Sequence, residues 1–476
     1  MESLLLDAVE EVTKYLTPQE LSACCAVSVD WRDAFNQDSL WRPHCNKDTA
    51  EYLETAECRV EPRFESPESE HSTLSPVCRW RMCYMREIHL RNNWRQWNYV
   101  KEIIKIDWEI ESDFNSFVSN DFVIISNKQE VTLWNVKDSP VRMGNPFRPL
   151  CDTTVYCCYT IGKNTIALVL SSHVEVYSFD SVHDETWRLK YFFFIDDLES
   201  RPPNEADTFK AKGNEQGHTF TTNFIIESFF ICFITKGTKS FKIWDLSVGK
   251  LLKWRGFPKR PEKIAFKEVS YSIIEPEKQS SHFVAKVRYD MENIYRYYFY
   301  IYSLREMKFI SFEVCCEFQS SNVPCVLVDR FLAITNYESV LIYNYVKQQL
   351  VVKVPTNHSE IMAVGSNILI TDNEYIYGMF NSRTLKVEML TVTNDEEVPI
   401  LFCGEHLFGG FFSTANSVTG LEFWATGKCL NSKEITCIGR FCYVQSYDTN
   451  KSHTKIILNS YTPSSNPSYF EVISFW

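Results

Sequence analysis

Arg255, Lys259, Arg260 and Lys263 crowd the run KWRGFPKRPEK, with Trp254 and Phe257 set between them. Cations interleaved with aromatic rings suit an acidic or phosphorylated peptide, held by charge-assisted hydrogen bonds and stacking. Catalytic constellations are missing: the sequence has no Gly-rich phosphate loop, no G-x-S-x-G, no H-E-x-x-H and no kinase signature. Fifteen glycines in 476 residues leave little from which to build nucleotide loops. DETW at residues 184–187 lacks the Gly of an Asp-box, and Asp196-Asp197 sit in loop-like sequence and read as solvated. Seventeen cysteines form an odd, irregular set without C-x-x-C, so they read as small buried hydrophobes rather than as a zinc ribbon or a disulfide framework. Cys78, Cys83 and His89 are close in sequence but would not converge on a helix, and no metal or cofactor is expected. Ser66-Pro67 and Ser75-Pro76 are candidate proline-directed phosphorylation sites, in a Ser/Pro-rich stretch that supplies such dipeptides readily.

The whole-chain balance narrows the partners. A formal net charge of −12 disfavours nucleic acid or an anionic membrane as the main ligand, because both require a basic surface. No run of eighteen apolar residues and no signal-peptide pattern is present, which predicts a soluble protein of the cytoplasm, the nucleus or both. The length exceeds one typical core, so at least two units are expected.

The first unit is helical. Leu5, Val9, Val12 and Leu16 make one apolar stripe, and Thr17-Pro18-Gln19-Glu20 opens a second helix with a capping box and Pro at its first position. That helix carries Leu21, Cys24, Cys25 and Val27. A third, capped by Ser28, carries Trp31 and Phe35 ahead of Leu40-Trp41. Three helices over residues 1–45 are too few for a robust core, so part of their apolar surface is expected to meet another protein. The pattern Leu4, Asp7, Val9, Val12, Tyr15-Leu16, Pro18, Leu21, Val27, Trp31-Arg32 and Ser39-Leu40-Trp41 resembles an F-box, with Leu5 standing where that family usually has Pro. The resemblance implies docking to the Skp-type adaptor of a cullin–RING ubiquitin ligase, and through it to cullin and RING subunits. The contacts would come from Leu4, Leu5, Val9, Val12, Leu16, Pro18, Leu21, Val27, Trp31, Leu40 and Trp41.

Residues 46–76 lose periodicity and read as a flexible linker; residues 77–98 read as one helix with Trp80, Tyr84 and Ile88 on a face, joining the dock stiffly to the remainder of the chain. Beyond about residue 99 the period falls to two and aromatic and β-branched residues dominate. An alternating segment ending in an aromatic and then a small or polar residue recurs at Trp134, Tyr177, Trp244, Tyr302, Tyr343, Phe380, Trp424 and Tyr461. Most intervals are about forty residues, the size of a four-stranded propeller blade. The units resemble degenerate WD40 repeats, with Trp-Asp intact only at Trp244-Asp245, a Gly-His at Gly217-His218, and His358 in a comparable place.

The expected fold is therefore mainly β, with a small N-terminal three-helix F-box and linker helix followed by a WD40-like β-propeller over residues 99–476. Eight blades are favoured over seven, closed by KEIIKIDWEI at residues 101–110 as the last outer strand. The resemblance implies a non-catalytic substrate-recognition subunit. Its propeller would hold a target protein, acidic or phosphorylated, through Arg255, Lys259, Arg260 and Lys263, while the insertion at residues 196–217 falls in the preceding loop of the same kind and reads as disordered, with a rim to that face as the alternative. The alternative is a non-degradative interaction scaffold whose helices do not engage the adaptor.

Overall fold

The structure, a computed structural model, describes residues 11, 13 and 16–476 except 67–74, 106–114, 128–129, 151–154, 163, 171–172, 181–184, 195–198, 206–221, 235–239, 259–267, 277–280, 292–293, 320–322, 337, 357–358, 365–366, 373–374, 383, 390, 393–401, 405–406, 414–418, 427–433, 443, 451, 453 and 463–464. Five α-helices precede the strands among these residues: α1 Pro18–Cys25, α2 Val29–Phe35, α3 Asp38–Trp41, α4 Lys47–Thr55 and α5 Arg79–Gln96. The helix starts follow local chemistry. Thr17 and Glu20 form the reciprocal capping box, Thr17 Oγ1 accepting from Glu20 N at 3.3 Å and Glu20 Oε2 from Thr17 N at 2.7 Å. Ser28 Oγ accepts from Trp31 N at 3.2 Å to start α2.

Within residues 46–76, read in the sequence as a flexible linker, the described part includes a helix and buried side chains. Lys47–Thr55 is a helix, and Ala50, Leu53, Ala56 and Val60 are buried. The reason is distant in sequence: Tyr52, Leu53 and Ala56 pack with Leu90 and Trp94 of α5 against Phe475 and Trp476.

The described strands form eight antiparallel sheets of four strands in chain order, covering 115–142, 157–194, 222–256, 268–318, 325–355, 359–389, 402–442 and 444–474. The seventh gains a short parallel strand, Thr391–Val392, beside Glu434–Cys442. The eighth takes its outermost strand from Val100–Lys105, which pairs antiparallel with Ser465–Ser474 from Val100↔Ser474 to Lys105↔Tyr469. That pairing closes a ring of sheets. Ile104, Ile457, Phe470 and Val472 of the eighth sheet then pack on Val123 and Ile125 of the first.

Aromatic rings lock several neighbouring sheets together. Phe193 stacks on Trp244 at 3.9 Å between the second and third sheets, Phe241 meets Phe283 and Tyr302 at 5.3 and 5.2 Å between the third and fourth, and Phe331 meets Phe380 at 5.2 Å between the fifth and sixth. The molecule is a β-propeller carrying an N-terminal helical module.

The recurring aromatic marks a fixed place in these sheets. Trp134, Tyr177, Trp244, Tyr302, Tyr343, Phe380 and Trp424 all lie on the third strand, whereas Tyr461 lies on the second strand of the eighth sheet. At Tyr177, Trp244, Tyr302, Tyr343 and Trp424 the pairing with the fourth strand shifts register, a β-bulge. The polar residue after the aromatic caps the next turn. Asn135, Asp245, Asn344 and Asn381 accept through Oδ1 from Lys137, Ser247, Val346 and Thr384 N at 2.8, 2.8, 3.1 and 3.1 Å, and Ser303 Oγ accepts from Glu306 N at 3.3 Å. Asn and Ser therefore do the turn-capping work of the Asp in the intact Trp244-Asp245 pair.

Candidate docking and target-binding surfaces

The helices build a core that three of them alone could not. Leu21 and Cys25 of α1, Phe35 of α2 and Leu40 and Trp41 of α3 are buried together with Cys45, Ala50 of α4 and Cys83 and Tyr84 of α5. Trp41 is fully buried, 5.4 Å from Tyr84, and its Nε1 donates to Phe35 O at 2.9 Å. This corrects the reading of Leu21, Leu40 and Trp41 as adaptor contacts. Their side chains complete the module's own interior, because α5 supplies the missing wall. Leu16 and Pro18 are half-buried, and Leu4, Leu5, Val9 and Val12 lie outside the described residues.

Two of the expected contacts remain at the surface. Val27 is 64 % exposed and Trp31 47 %, and Val29 between them is 56 % exposed. Val29 is the residue that sequence reasoning missed, because it comes directly after the cap Ser28 and belongs to no apolar stripe. The three form an apolar edge at the α1–α2 turn, with Trp31 held by stacking on Phe35 at 5.5 Å.

The module is fixed to the propeller by α5. Trp94 stacks on Phe475 at 3.5 Å, Asn93 Nδ2 donates to Phe475 O at 3.0 Å, and Trp476 Nε1 donates to Ala56 O at 2.9 Å. Tyr52 OH donates to Lys137 O at 2.9 Å and Thr49 Oγ1 to Ser452 O at 3.4 Å. Beneath these contacts, Lys455 Nζ donates to Ser474 Oγ at 2.8 Å, and Ser474 Oγ donates to Trp476 O at 3.1 Å. Burial pushes the Lys455 ammonium down to about 8, and burial also raises the Asp121 carboxyl beside it, which accepts from Asn450 Nδ2 at 3.1 Å.

These contacts define the faces of the ring. Strands alternate in direction, so turns joining first to second and third to fourth strands share one face; the remaining connections share the other. Ser452 lies in a first-to-second turn and Lys137 in a third-to-fourth turn, which puts the helices on the first face. Gly256 and Glu268, between which residues 257–267 run, join a fourth strand to the next first strand and lie on the opposite face.

The sequence-predicted target residues are only partly in view. Arg255 is exposed on the outermost strand Lys250–Gly256, opposite Phe241, while Lys259, Arg260 and Lys263 lie outside the described residues. Trp254 is 54 % exposed, its Nε1 donating to Ser240 Oγ at 2.6 Å and its ring 5.0 Å from Lys242 Nζ. Phe257 is not a surface ring: it is buried among Phe233, Phe241 and Tyr271. The start of the insertion, read as disordered or as a rim to this face, instead runs toward the other one: Arg201 bridges back to Phe192 on the outer strand of the second sheet, and Ser200 N donates at 3.0 Å to Gly249 O in a third-to-fourth turn, on the helix side. Gly249 has φ +67°, and a Cβ there would sit 2.5 Å from Ser200 Oγ, so only glycine admits this contact.

Cys78, Cys83 and His89 do not converge. His89 Nε2 lies 3.9 Å from Cys58 Sγ instead, and among the described residues no group of three His, Cys, Asp or Glu side chains could hold a metal ion. No described helix is long and apolar enough to cross a membrane.

Residues 7–47 match the family model described as F-box-like. The helical module is F-box-like. No curated protein matches the sequence. Among solved structures, Kluyveromyces lactis Hsv2 with its complete loop 6CD is 11 % identical with a TM-score of 0.38, over 68 % of this chain and 97 % of that one. BamB from Moraxella catarrhalis is 8 % identical with a TM-score of 0.42, over 79 % and 99 %. The Dos1 propeller is 9 % identical with a TM-score of 0.36, over 76 % and 77 %. F-box domains generally bind Skp-type adaptors.

Proposed function

We propose that this chain is the substrate-recognition subunit of a cullin–RING ubiquitin ligase. The F-box-like module docks the Skp-type adaptor and, through it, cullin and RING subunits; the propeller presents a target protein, and the chain itself performs no chemistry. The observation that carries this reading is the exposure of Val27, Val29 and Trp31, three apolar side chains left in solvent where the other large hydrophobic side chains among the described residues of the module are packed. The F-box resemblance adds Leu4, Leu5, Val9 and Val12 to the expected adaptor contacts. The target face in this reading is the one opposite the helices, where Arg255, Lys259, Arg260 and Lys263 would hold an acidic or phosphorylated segment. Work as a ligase subunit places the protein in the cytoplasm, the nucleus or both. Co-purification tests the reading: the intact chain should bring down adaptor and cullin, and Val27→Asp with Trp31→Ala should lose both while retaining targets. A chain that retains its targets but never brings down adaptor is the scaffold alternative.

A further inference from the structure

Residues 75–78, which lead into α5, are strapped along α2. Arg32 donates to Ser75 O from both Nε and Nη2, at 3.3 and 2.9 Å. Asn36, one turn further along α2, donates from Nδ2 to Pro76 O at 2.7 Å and accepts through Oδ1 from Cys78 N at 2.9 Å. Ser75 Oγ donates to Asp33 Oδ1 at 2.5 Å, and Asp38 Oδ1 accepts from Trp80 N at 2.9 Å. The strap thus ties the start of α5 to the helix that carries Val29 and Trp31.

The geometry points to Ser75 as a phosphorylation site that releases this strap. Ser75 is a non-helical residue ahead of an exposed Pro76, the extended Ser-Pro dipeptide that proline-directed kinases accept. In the step, Ser75 Oγ attacks the γ-phosphorus of ATP in such a kinase. An O–P bond forms as the bond to the ADP oxygen breaks, and the hydroxyl proton passes to the kinase's base. The product replaces a hydroxyl donor, 2.5 Å from a carboxylate, with an acceptor group carrying about 1.5 to 2 negative charges. The hydrogen bond to Asp33 is lost and the two anions repel. The cation in the strap is Arg32, already forked onto Ser75 O, so turning it to the phosphate withdraws it from that carbonyl and weakens the remaining tie. Release frees α2 from α5 and disorders the edge at Val29 and Trp31. Only this last step rests on the adaptor-docking reading.

The full-length chain is treated with ATP and a proline-directed kinase, a cyclin-dependent kinase with its cyclin, and mapped by peptide mass spectrometry. Phosphate should appear on Ser75, vanish in Ser75→Ala and persist in Ser66→Ala. Hydrogen exchange at residues 29–36 and 75–80 should then accelerate on the order of tenfold, as expected for loss of a charge-assisted hydrogen bond, and Asp33→Asn should blunt the change. No phosphate on Ser75, or exchange that is unchanged or slower once it is phosphorylated, overturns the proposal. Adaptor affinity should fall by a similar factor. If Trp31→Ala loses adaptor while phosphorylated chain with fast exchange binds normally, the coupling to docking is overturned; if neither intact chain nor Trp31→Ala binds adaptor, the docking reading fails and the release stands on exchange alone.

Discussion

Trp31 and Trp41 are ten positions apart in one helical module and do opposite work. Trp41 is fully buried and hydrogen-bonded to Phe35 O, so Trp41→Ala should cost about 3–5 kcal/mol in urea denaturation through the cavity it leaves. Trp31 is half in solvent; Trp31→Ala should shift stability by no more than about 0.5 kcal/mol yet weaken adaptor binding by about 2 kcal/mol or more, read by calorimetric titration. Spacing alone could not separate these fates, since both positions fit the same motif. Burial decided them, and burial depended on α5. Lys455 gives a second residue-level test. Its ammonium is held at about 8 in the fold against 10.5 when free, so between these values the unfolded chain binds more protons and raising pH stabilises the native state. Below 8 both states are protonated and the penalty is constant. Relative to Lys455→Met, the wild type should therefore gain stability from pH 8 to 10.5, by at most about 3 kcal/mol, in parallel denaturation series.

At the level of elements, the legible features came from local chemistry and the hidden ones from long-range packing. The capping box at Thr17–Glu20, the cap at Ser28, the third strands ending in an aromatic, and the closing strand at Val100–Lys105 all announce themselves within a few residues. Helix α4 does not, because KDTAEYLET buries only a few side chains and their partners Phe475 and Trp476 stand more than four hundred positions away. Tyr461 misled because ILNSYT carries the same aromatic-then-polar ending but forms the second strand of the eighth sheet, Lys455–Thr462. Phe257 looked like a surface ring because its neighbours are cations, whereas the gap between the third and fourth sheets takes it in. The coupling between α5 and the eighth sheet can be tested as an element. Trp94→Ala together with Trp476→Ala should remove the stack on Phe475 and the bond to Ala56 O, splitting a single cooperative melt into two transitions in differential scanning calorimetry.

On the scale of the whole molecule, function depends on two faces held at a fixed relation. The helical module grips the ring through Ser452 and Lys137 turns on one side, and the connection bearing Lys259, Arg260 and Lys263 starts and ends on the other. In the proposed role a target held there would be kept clear of the adaptor, and a stiff joint would set the distance between target and ubiquitin-charged enzyme. Separate faces predict separable losses. Charge reversal at Lys259 and Arg260 should abolish capture of an acidic or phosphorylated target while adaptor co-purification persists; Trp31→Ala should do the reverse. Both variants should melt with the wild type, as a thermal scan would check. Capture that survives the charge reversal would move the target site off the 257–267 connection, whereas simultaneous loss of target and adaptor in either variant would show that the two faces are not independent.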